Sequence, residues 1–239
     1  MPRALILTSN SLRHIYFANK MAKAFDVKGL ILEPKSDYFE SQQEESALVR
    51  THFATLAQYE KKYLAEFQDF PSVPLLRVKK NEINDHACLQ WALEKDVEIV
   101  LLFGTGILGD AWLSTFKDKI VNLHLGHSPR YRGSATLFWP FANDELEFVG
   151  STIHLAESKV DAGAILKIVT SETCSGDNFY DINFKTIKKS IDELPGVVSD
   201  FVGGRLSPVL QRVDDQKYCY RKRDFTEDVL RRVMEKYGP

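Results

Sequence analysis

Short apolar runs alternate with amphipathic segments over the first half of the chain. Apolar runs rich in branched side chains and bounded by polar turns are typical of buried strands, while apolar residues three or four apart are typical of helices. A repeated strand–helix order predicts an α/β fold with a doubly wound, Rossmann-like and mostly parallel sheet. The pattern predicts strands at 4–8, 27–32, 75–78, 98–103 and 119–124, helices at 12–25 and 81–94, and a short helix after the break at 104–106.

The segment 38–67 is polar and charged, but apolar side chains recur along it at helical spacing. This spacing predicts one long amphipathic helix that covers an edge of the sheet or a partner. The segment could be a lid, a dimer surface or a solvated helix packed on the sheet, and simple packing is the favoured interpretation. Its recurring side chains are Leu48, Phe53, Leu56, Tyr59, Tyr63 and Phe67.

The pattern changes after Gly133. Two apolar runs around a polar loop at 156–163 predict an antiparallel addition, and a long amphipathic segment predicts a helix that Pro195 and Gly196 break or kink. We expect a main domain over 1–204 and a small C-terminal appendage over 205–239. The predicted elements are strands at 148–155 and 164–169, a helix at 178–202, a hairpin of 209–213 with 217–221 around Asp214 and Asp215, and a final helix at 226–236.

Composition narrows the class of protein. The chain has 239 residues, 44% of them hydrophobic and 27% charged, as is ordinary for a globular protein, and its net charge of −2 argues against a nucleic-acid surface. No apolar run approaches the roughly 20 residues of a membrane span, and the first residues do not form a signal peptide. An odd number of distant cysteines indicates a reducing compartment. We therefore expect a cytoplasmic protein with no membrane or nucleic-acid partner.

Polar side chains follow the predicted strand 119–124. Asn122 and His124 stand two positions apart and therefore project from one face, at the carboxyl end of a strand, where open α/β sheets bind ligands. Arg130 and Arg132 bring two guanidinium groups beside this crevice, which suits an anionic substrate. Asp161 follows in the next loop. An isolated Asn and His pair near a strand end is more often structural, so the later residues are what strengthen a functional interpretation.

These residues together resemble the folate-dependent formyltransferase family, which includes glycinamide ribonucleotide transformylase and methionyl-tRNA formyltransferase. The similarity extends from about residue 75 to residue 166, with weaker agreement in the opening strand–helix–strand unit. The motifs that carry it are Asn122-Leu123-His124, Pro129-Arg130-Tyr131-Arg132-Gly133, Gly150-Ser151-Thr152-Ile153-His154 and Val160-Asp161-Ala162-Gly163.

The resemblance implies transfer of a formyl group from formyl-tetrahydrofolate to a primary amine, with Asn122, His124 and Asp161 as the catalytic residues. These residue types suit that chemistry. The Asn122 amide and a protonated His124 would stabilise negative charge on the formyl oxygen, and His124 would move the proton of the amine. The Asp161 carboxylate would favour the imidazolium and orient its ring or a bridging water. No metal and no covalent enzyme intermediate is required.

The resemblance also implies a folate pocket on either side of these residues. Backbone groups near the two glycines after the fourth strand would pair with the pteridine edge, which glycine allows to come close. The loop 157–161 would close the other side. Without the resemblance, the glycines only indicate a turn after a strand. The residues assigned to the pocket are Gly104, Thr105, Gly106, Ile107, Leu108 and Val160.

Further residues are candidates for contact with the acceptor amine. The first helix begins beside the crevice and could meet a phosphate, although helix capping explains the same residues. His154 could contact substrate or support the site from the core, and His127 is either an incidental neighbour or an acceptor contact. The substrate-binding candidates are Asn10, Arg13, Tyr16, Arg130, Tyr131, Arg132 and His154.

Differences between this sequence and known members of the formyltransferase family reduce the number of acceptors to be considered. The turn after the first strand, 8–13, has no glycine, whereas glycinamide ribonucleotide transformylase carries a glycine-rich phosphate loop there. We expect no room after Gly204 for the further domain of methionyl-tRNA formyltransferase, and no regulatory domain before Ala4 as in a formyl-tetrahydrofolate hydrolase.

The chain is then similar to the short enzymes that formylate nucleotide-linked amino sugars for bacterial surface polysaccharides. In those enzymes a C-terminal hairpin often helps to form a dimer, so we expect a homodimer. Two alternatives stay open: glycinamide ribonucleotide transformylase activity, or a catalytically weak folate-binding module. A nucleotide-binding oxidoreductase is disfavoured, because no G-x-G-x-x-G motif follows the first strand.

Overall fold

A computed structural model of the chain describes residues 1–34 and 46–239. The observed bounds lie within a few residues of the predicted ones for most elements. The strands are β1 (Arg3–Thr8), β2 (Asp26–Leu32), β3 (Leu75–Arg77), β4 (Ile99–Phe103), β5 (Ile120–His124), β6 (Tyr131–Gly133), β7 (Gly150–Leu155), β8 (Ile165–Thr170) and β9 (Tyr218–Tyr220). The α-helices are α1 (Leu12–Ala24), α2 (Ala47–Leu64), α3 (His86–Leu93), α4 (Asp110–Thr115), α5 (Trp139–Ala142), α6 (Phe179–Val202) and α7 (Glu227–Tyr237).

The main sheet has the strand order β3-β2-β1-β4-β5-β7-β8. The first five of these strands are parallel, and β7 and β8 add to the edge of β5 as an antiparallel pair. The chain reverses direction across the sheet between β1 and β4, and open α/β sheets bind ligands beyond the carboxyl ends of such strands. The topology confirms the doubly wound, mostly parallel sheet that the sequence predicts.

Both faces of the sheet are covered by helices, which explains the nearly continuous apolar runs of the central strands. On β1, Ala4 and Ile6 face a larger apolar cluster that also contains residues of α1, α6 and α7, while Leu5 and Leu7 face a smaller cluster with residues of α3 and α4. A strand buried on both faces leaves little room for polar side chains along its length. Polar groups therefore concentrate at the ends of the strands.

The long helix predicted over 38–67 is observed as α2. Residues 38–45 lie outside the described residues, and α2 begins after Ser46, whose side chain accepts a hydrogen bond from the backbone N–H of Val49 at 3.3 Å. Leu64 is fully buried, and the tyrosines of the predicted spacing pack partly buried against the larger cluster. The described part of this segment therefore packs on the fold.

The helix α6 runs through Pro195 and Gly196, where the sequence predicted a break or kink. That expectation of a break is wrong. Proline removes one backbone donor, but buried apolar residues continue on both sides of it. Leu194 and Val198 both pack in the larger cluster, and this packing holds the helix across the proline.

The predicted C-terminal hairpin does not form. Val209 instead makes an antiparallel bridge with Ile165 at the start of β8, and β9 pairs in parallel with β6 in a separate two-stranded sheet. The two segments of the predicted hairpin therefore pair with earlier parts of the chain and not with each other. The hairpin expected to support a dimer is absent. None of the described helices is long and apolar enough to cross a membrane.

Candidate active site

Asn122 and His124 lie at the carboxyl end of β5 and share one face of the strand. The alternating residues Val121 and Leu123 point into the larger apolar cluster. The side chains of Asn122 and His124 therefore point to the opposite face of the strand. His154 stands directly opposite Asn122 on β7. The strand register therefore places three polar side chains together, two of them as the sequence predicted.

His124 lies between two hydrogen-bond acceptors. Its Nε2 is 3.2 Å from the backbone carbonyl oxygen of Tyr131, and its Nδ1 is 3.3 Å from Oδ1 of Asp161. Both side chains are largely withdrawn from solvent, with 8% of the His124 side chain and 11% of the Asp161 side chain exposed. Only a doubly protonated imidazolium can donate a hydrogen bond to both acceptors. The geometry therefore suits a charged His124.

His154 orients the side chain of Asn122. Its Nδ1 lies 2.7 Å from the carbonyl oxygen of Leu155 and therefore carries the proton, while burial lowers the pKa of the ring and keeps it neutral. Its Nε2 then accepts a hydrogen bond from the Asn122 amide nitrogen at 3.0 Å. The second N–H of that amide stays available at the crevice. His154 itself is 2% exposed, and its contact with Asn122 is the supporting role that the sequence left open beside a substrate contact.

Asp161 adopts an unusual backbone conformation in the loop after β7. Its φ of 52° is left-handed, a region in which a side chain is disfavoured. Its Oδ2 accepts a hydrogen bond from the backbone N–H of Gly133 at 3.3 Å, while Oδ1 faces His124. We call Asn122, His124 and Asp161 the catalytic wall: Asp161 contacts His124, and the Nε2 of His154, which holds Asn122, lies 3.8 Å from Oδ1 of Asp161.

The residues 104–109, which we call the glycine wall, continue from β4 next to β5. Gly104 has a φ of 82°, and a Cβ there would lie 2.3 Å from Cε1 of the buried His14 ring. The backbone N–H of Gly106 donates to the buried carboxylate of Glu33 at 2.5 Å. Asn84 accepts from the N–H of Gly109 at 2.7 Å. The glycine wall is thus fixed by steric fit and by two polar side chains from earlier loops.

Residues of the predicted folate pocket differ in exposure. Ile107 is 67% exposed and Val160 is 42% exposed, so both present apolar surface. Leu108 is buried in the smaller apolar cluster and supports the loop from behind. Thr105 is half-buried and its hydroxyl donates to the carbonyl oxygen of Gly106 at 3.1 Å.

The three predicted arginine contacts have different surroundings. Arg13 donates to Glu60 on α2, with Nε 2.7 Å from Oε1, and Arg130 makes a two-pronged ion pair with Glu145 at 2.9 and 2.7 Å. Arg132 is only 4% exposed, its Nε has no hydrogen-bond partner, and no carboxylate in the described part of the chain pairs with it. Of these three, Arg132 alone holds a buried charge that is not neutralised.

Two predicted substrate contacts are enclosed by protein. Tyr16 is fully buried, with its hydroxyl 2.6 Å from Oδ1 of Asp192, and Tyr131 is fully buried, with its hydroxyl 2.6 Å from Oε2 of Glu145. Their aromatic side chains fill the core, and a carboxylate of the protein accepts from each hydroxyl. Asn10 is exposed after β1, at the same edge of the sheet as the catalytic wall.

Sequence reasoning missed several groups that support the site. Gln211 donates from Nε2 to the carbonyl oxygens of Asp161 at 2.9 Å and Gly163 at 2.8 Å. Glu33 and Asn84 were not candidates either, because nothing local marks a residue that contacts a loop far along the chain. Among residues 1–34 and 46–239, no group of three His, Cys, Asp or Glu side chains is placed to hold a metal ion.

Comparison with known proteins supports the motifs. The sequence profile of the formyl transferase family matches residues 20–198. A methionyl-tRNA formyltransferase from Geobacter sulfurreducens is 30% identical over 176 residues, covering 71% of this chain and 51% of that protein. Another, from Trichlorobacter lovleyi, is 31% identical over 129 residues, covering 54% of this chain and 40% of that protein. The chain thus spans about half or less of the length of these two relatives.

Solved structures share the fold over most of the chain. A phosphoribosylglycinamide formyltransferase from Anaplasma phagocytophilum has a TM-score of 0.63 at 16% identity, covering 92% of this chain and 95% of its own. A formyltransferase from Anoxybacillus kamchatkensis, solved with UDP-4,6-dideoxy-4-formamido-L-AltNAc and tetrahydrofolate, has a TM-score of 0.56 at 14% identity and covers 98% of both chains. An N-formyltransferase from Helicobacter canadensis, solved with folinic acid and dTDP-3-aminofucose, has a TM-score of 0.59 at 16% identity, covering 95% and 73%.

Proposed function

This chain belongs to the formyl transferase family, and we propose that it transfers a formyl group from formyl-tetrahydrofolate to the primary amine of a nucleotide-linked amino sugar. The observation that carries the proposal is the position of His124 between the Tyr131 carbonyl and the Asp161 carboxylate, beside the oriented amide of Asn122. Such an arrangement holds a buried imidazole and a directed N–H donor at the edge of the sheet where α/β proteins bind ligands.

The chemistry needs no further group from the protein. A bond forms between the amine nitrogen and the formyl carbon, and the bond from that carbon to the donor nitrogen breaks. The amine loses one proton and the donor nitrogen gains one, so atoms and electrons balance. The free N–H of Asn122 and the charge of His124 stabilise the negative charge on the formyl oxygen, an effect worth about 10²–10³-fold per donor. The Asp161 carboxylate faces His124 and orients its ring.

The residues present fit a reduced folate, which supplies the formyl group when bound. The exposed apolar side chains of Ile107 and Val160 suit the faces of a flat heteroaromatic ring. Gly104 and Gly106 leave backbone groups open to close approach, because neither carries a side chain. Both loops adjoin the catalytic wall, Gly104 through the pairing of β4 with β5 and Val160 through its neighbour Asp161.

The acceptor is inferred from charge. Nucleotide-linked sugars carry a diphosphate, and a guanidinium without a carboxylate partner is suited to bind it. Arg132 is such a group, and its backbone neighbours Tyr131 and Gly133 contact His124 and Asp161. Two solved proteins of similar fold bind nucleotide-linked sugars and a third is a phosphoribosylglycinamide formyltransferase, so the charge of Arg132 is what supports the choice of acceptor.

A formyl-transfer assay tests the proposal. The purified chain is incubated with formyl-tetrahydrofolate and a panel of amines: uridine- and thymidine-diphosphate amino sugars, glycinamide ribonucleotide and methionyl-tRNA. We expect the mass of one formyl group to appear on a nucleotide-linked sugar. Formylation of glycinamide ribonucleotide alone would keep the reaction and overturn the acceptor. Folate binding without transfer to any amine would indicate the weak folate-binding module.

The role of Arg132 is tested in the same assay. Arg132→Leu should raise the KM for the nucleotide-linked sugar by about 10- to 100-fold, the value of a lost charge-assisted hydrogen bond, with little change in the KM for the folate. Arg212→Leu is the matched control, because Arg212 is an arginine with an exposed side chain. An equal effect of the two variants would refute the assignment of Arg132.

A further inference from the structure

The segment that follows α6 returns to the sheet beside the candidate active site. Val209 and Ile165 exchange two backbone hydrogen bonds, at 2.7 and 2.8 Å, and this bridge fixes the segment against the first residue of β8. Two positions later, Gln211 reaches the loop that carries Asp161. The bridge therefore holds the backbone from which the Gln211 side chain extends.

We propose that Gln211 is a positioning residue that holds the Asp161 loop in its reactive conformation, a role that rests on the proposed formyl transfer. Its Nε2 donates one hydrogen to the carbonyl oxygen of Asp161 at 2.9 Å and the other to that of Gly163 at 2.8 Å. Both partners are acceptors, so the orientation of the amide is determined. Its Oε1 is buried and has no hydrogen-bond partner among the described residues, so the amide contacts this loop through its nitrogen.

The Asp161 loop needs such a restraint. Residues 157–160 are exposed, and Asp161 has a left-handed φ of 52°, which an isolated loop would not favour. The only other side chain that donates to the Asp161 carbonyl in the described part of the chain is Ser128, whose Oγ is 3.4 Å away. The two shorter hydrogen bonds from Gln211 therefore fix the backbone that aims the carboxylate at His124.

The C-terminal segment supports the catalytic wall at a second point. β9 pairs with β6, and the N–H of Tyr218 donates to the carbonyl oxygen of Arg130 at 2.9 Å. The paired strand β6 contributes both the Tyr131 carbonyl that contacts His124 and the Gly133 N–H that contacts Asp161. Residues 205–239 thus help to build the site from two sides, and Gln211 is the side chain that acts on Asp161.

The variant Gln211→Leu removes both donors and keeps a side chain of similar size. We expect kcat to fall by about 10- to 100-fold, since small displacements of a reacting group cost this much. The KM values for folate and acceptor should stay within about twofold. Arg212→Leu should leave all three quantities unchanged.

Amide hydrogen exchange of the full chain provides a readout that does not depend on turnover. In Gln211→Leu, peptides covering 156–164 should exchange at least about tenfold faster, while peptides of β1 and β4 keep their wild-type rates. Wild-type exchange in this loop, or a wild-type kcat in an active enzyme, would overturn the role of Gln211. If the unmodified chain transfers no formyl group, the proposed function fails, and a faster exchange confined to the loop would still establish the restraint.

Discussion

The two walls of the candidate site are held in place by different kinds of interaction. The glycine wall is shaped by steric fit at Gly104, which lies against the His14 ring, while Glu33 and Asn84 hold two of its backbone N–H groups. The catalytic wall is a chain of polar contacts between segments far apart in sequence, from the Tyr131 carbonyl through His124 to Asp161. The glycine wall thus depends on the absence of side chains where the core comes close to the backbone. The catalytic wall depends on which polar atoms face each other.

This difference predicts that the two walls fail differently when they are changed. A side chain added to the glycine wall must displace buried atoms, so it lowers the free energy of unfolding and distorts the folate pocket together. A polar group removed from the catalytic wall leaves the apolar packing in place, so turnover falls while the fold is retained.

The largest expected effect is on the catalytic wall. In His124→Asn, kcat should fall by about 10³-fold, because both the charge near the formyl oxygen and the proton carrier are lost. The free energy of unfolding should change by no more than about 2 kcal/mol. Formyl transfer and urea unfolding measure the two quantities. His86→Asn is the matched control, since His86 is exposed at the start of α3.

A fall in kcat for His124→Asn that tracks an equal loss of folded protein would contradict the comparison. Asp161→Asn provides a second measure, because its amide keeps the size of the side chain and removes the charge that faces His124. Near-normal turnover in either variant would show that the polar chain of contacts is not the catalytic machinery.

The sequence predicted the glycine wall and the catalytic wall unequally well. Apolar runs located β4 and β5, and from their ends the positions of Gly104, Asn122 and His124 followed. The shared face of Asn122 and His124 follows from the two-residue period of a strand. Asp161 was found through a family motif, because its approach to His124 depends on the path of a loop that local pattern does not determine.

The remaining contacts depend on distant partners. Arg13, Arg130 and Arg132 looked equivalent in sequence, and only the positions of Glu60 and Glu145 separated them. The prediction of a C-terminal hairpin was wrong for the same reason. Its two runs pair with residues far earlier in the chain, Val209 with Ile165, 44 positions before it, and Tyr218 with Tyr131, 87 positions before it. Propensity and spacing describe local structure, whereas these pairings follow from the packed fold.

The glycine wall is tested by adding one methyl group. Gly104→Ala should lower the free energy of unfolding by about 2–5 kcal/mol: about 1–2 for a left-handed Cβ, and about 1–3 for the overlap with the buried His14 ring. Gly176→Ala is a matched control, because Gly176 is also left-handed, with a φ of 89°, and nothing lies within 4 Å of its added Cβ. Urea unfolding of both variants separates backbone strain from overlap. Equal losses would show that the His14 ring yields and that steric fit does not define this wall.

The smallest expected effect is on the pH dependence of stability, and it involves a residue outside both walls. It determines the pH at which variants of the two walls can be compared. His52 on α2 is buried beside the rings of Phe53, Phe179 and Phe225, and donates from Nδ1 to the Tyr180 hydroxyl at 2.9 Å. Burial lowers its pKa from 6.5 to about 4. Because His52 binds a proton more readily in the unfolded chain than in the folded one, protonation favours unfolding. The contribution of neutral His52 to the free energy of unfolding is therefore present at neutral pH and is lost as the pH falls from about 6.5 towards 4.

Between about pH 7 and pH 5.5 the His52 contribution amounts to a loss of about 1 kcal/mol. Urea unfolding at several pH values should show this slope in the wild type and a slope smaller by that amount in His52→Phe, which keeps an aromatic ring in the cluster. Part of the slope should persist, because burial also lowers the pKa of His127 and His154. An unchanged slope in His52→Phe would assign the acid sensitivity to His127 and His154, the second of which holds Asn122 of the catalytic wall. In that case acid would weaken the two walls unequally, and their variants could be compared only above about pH 7.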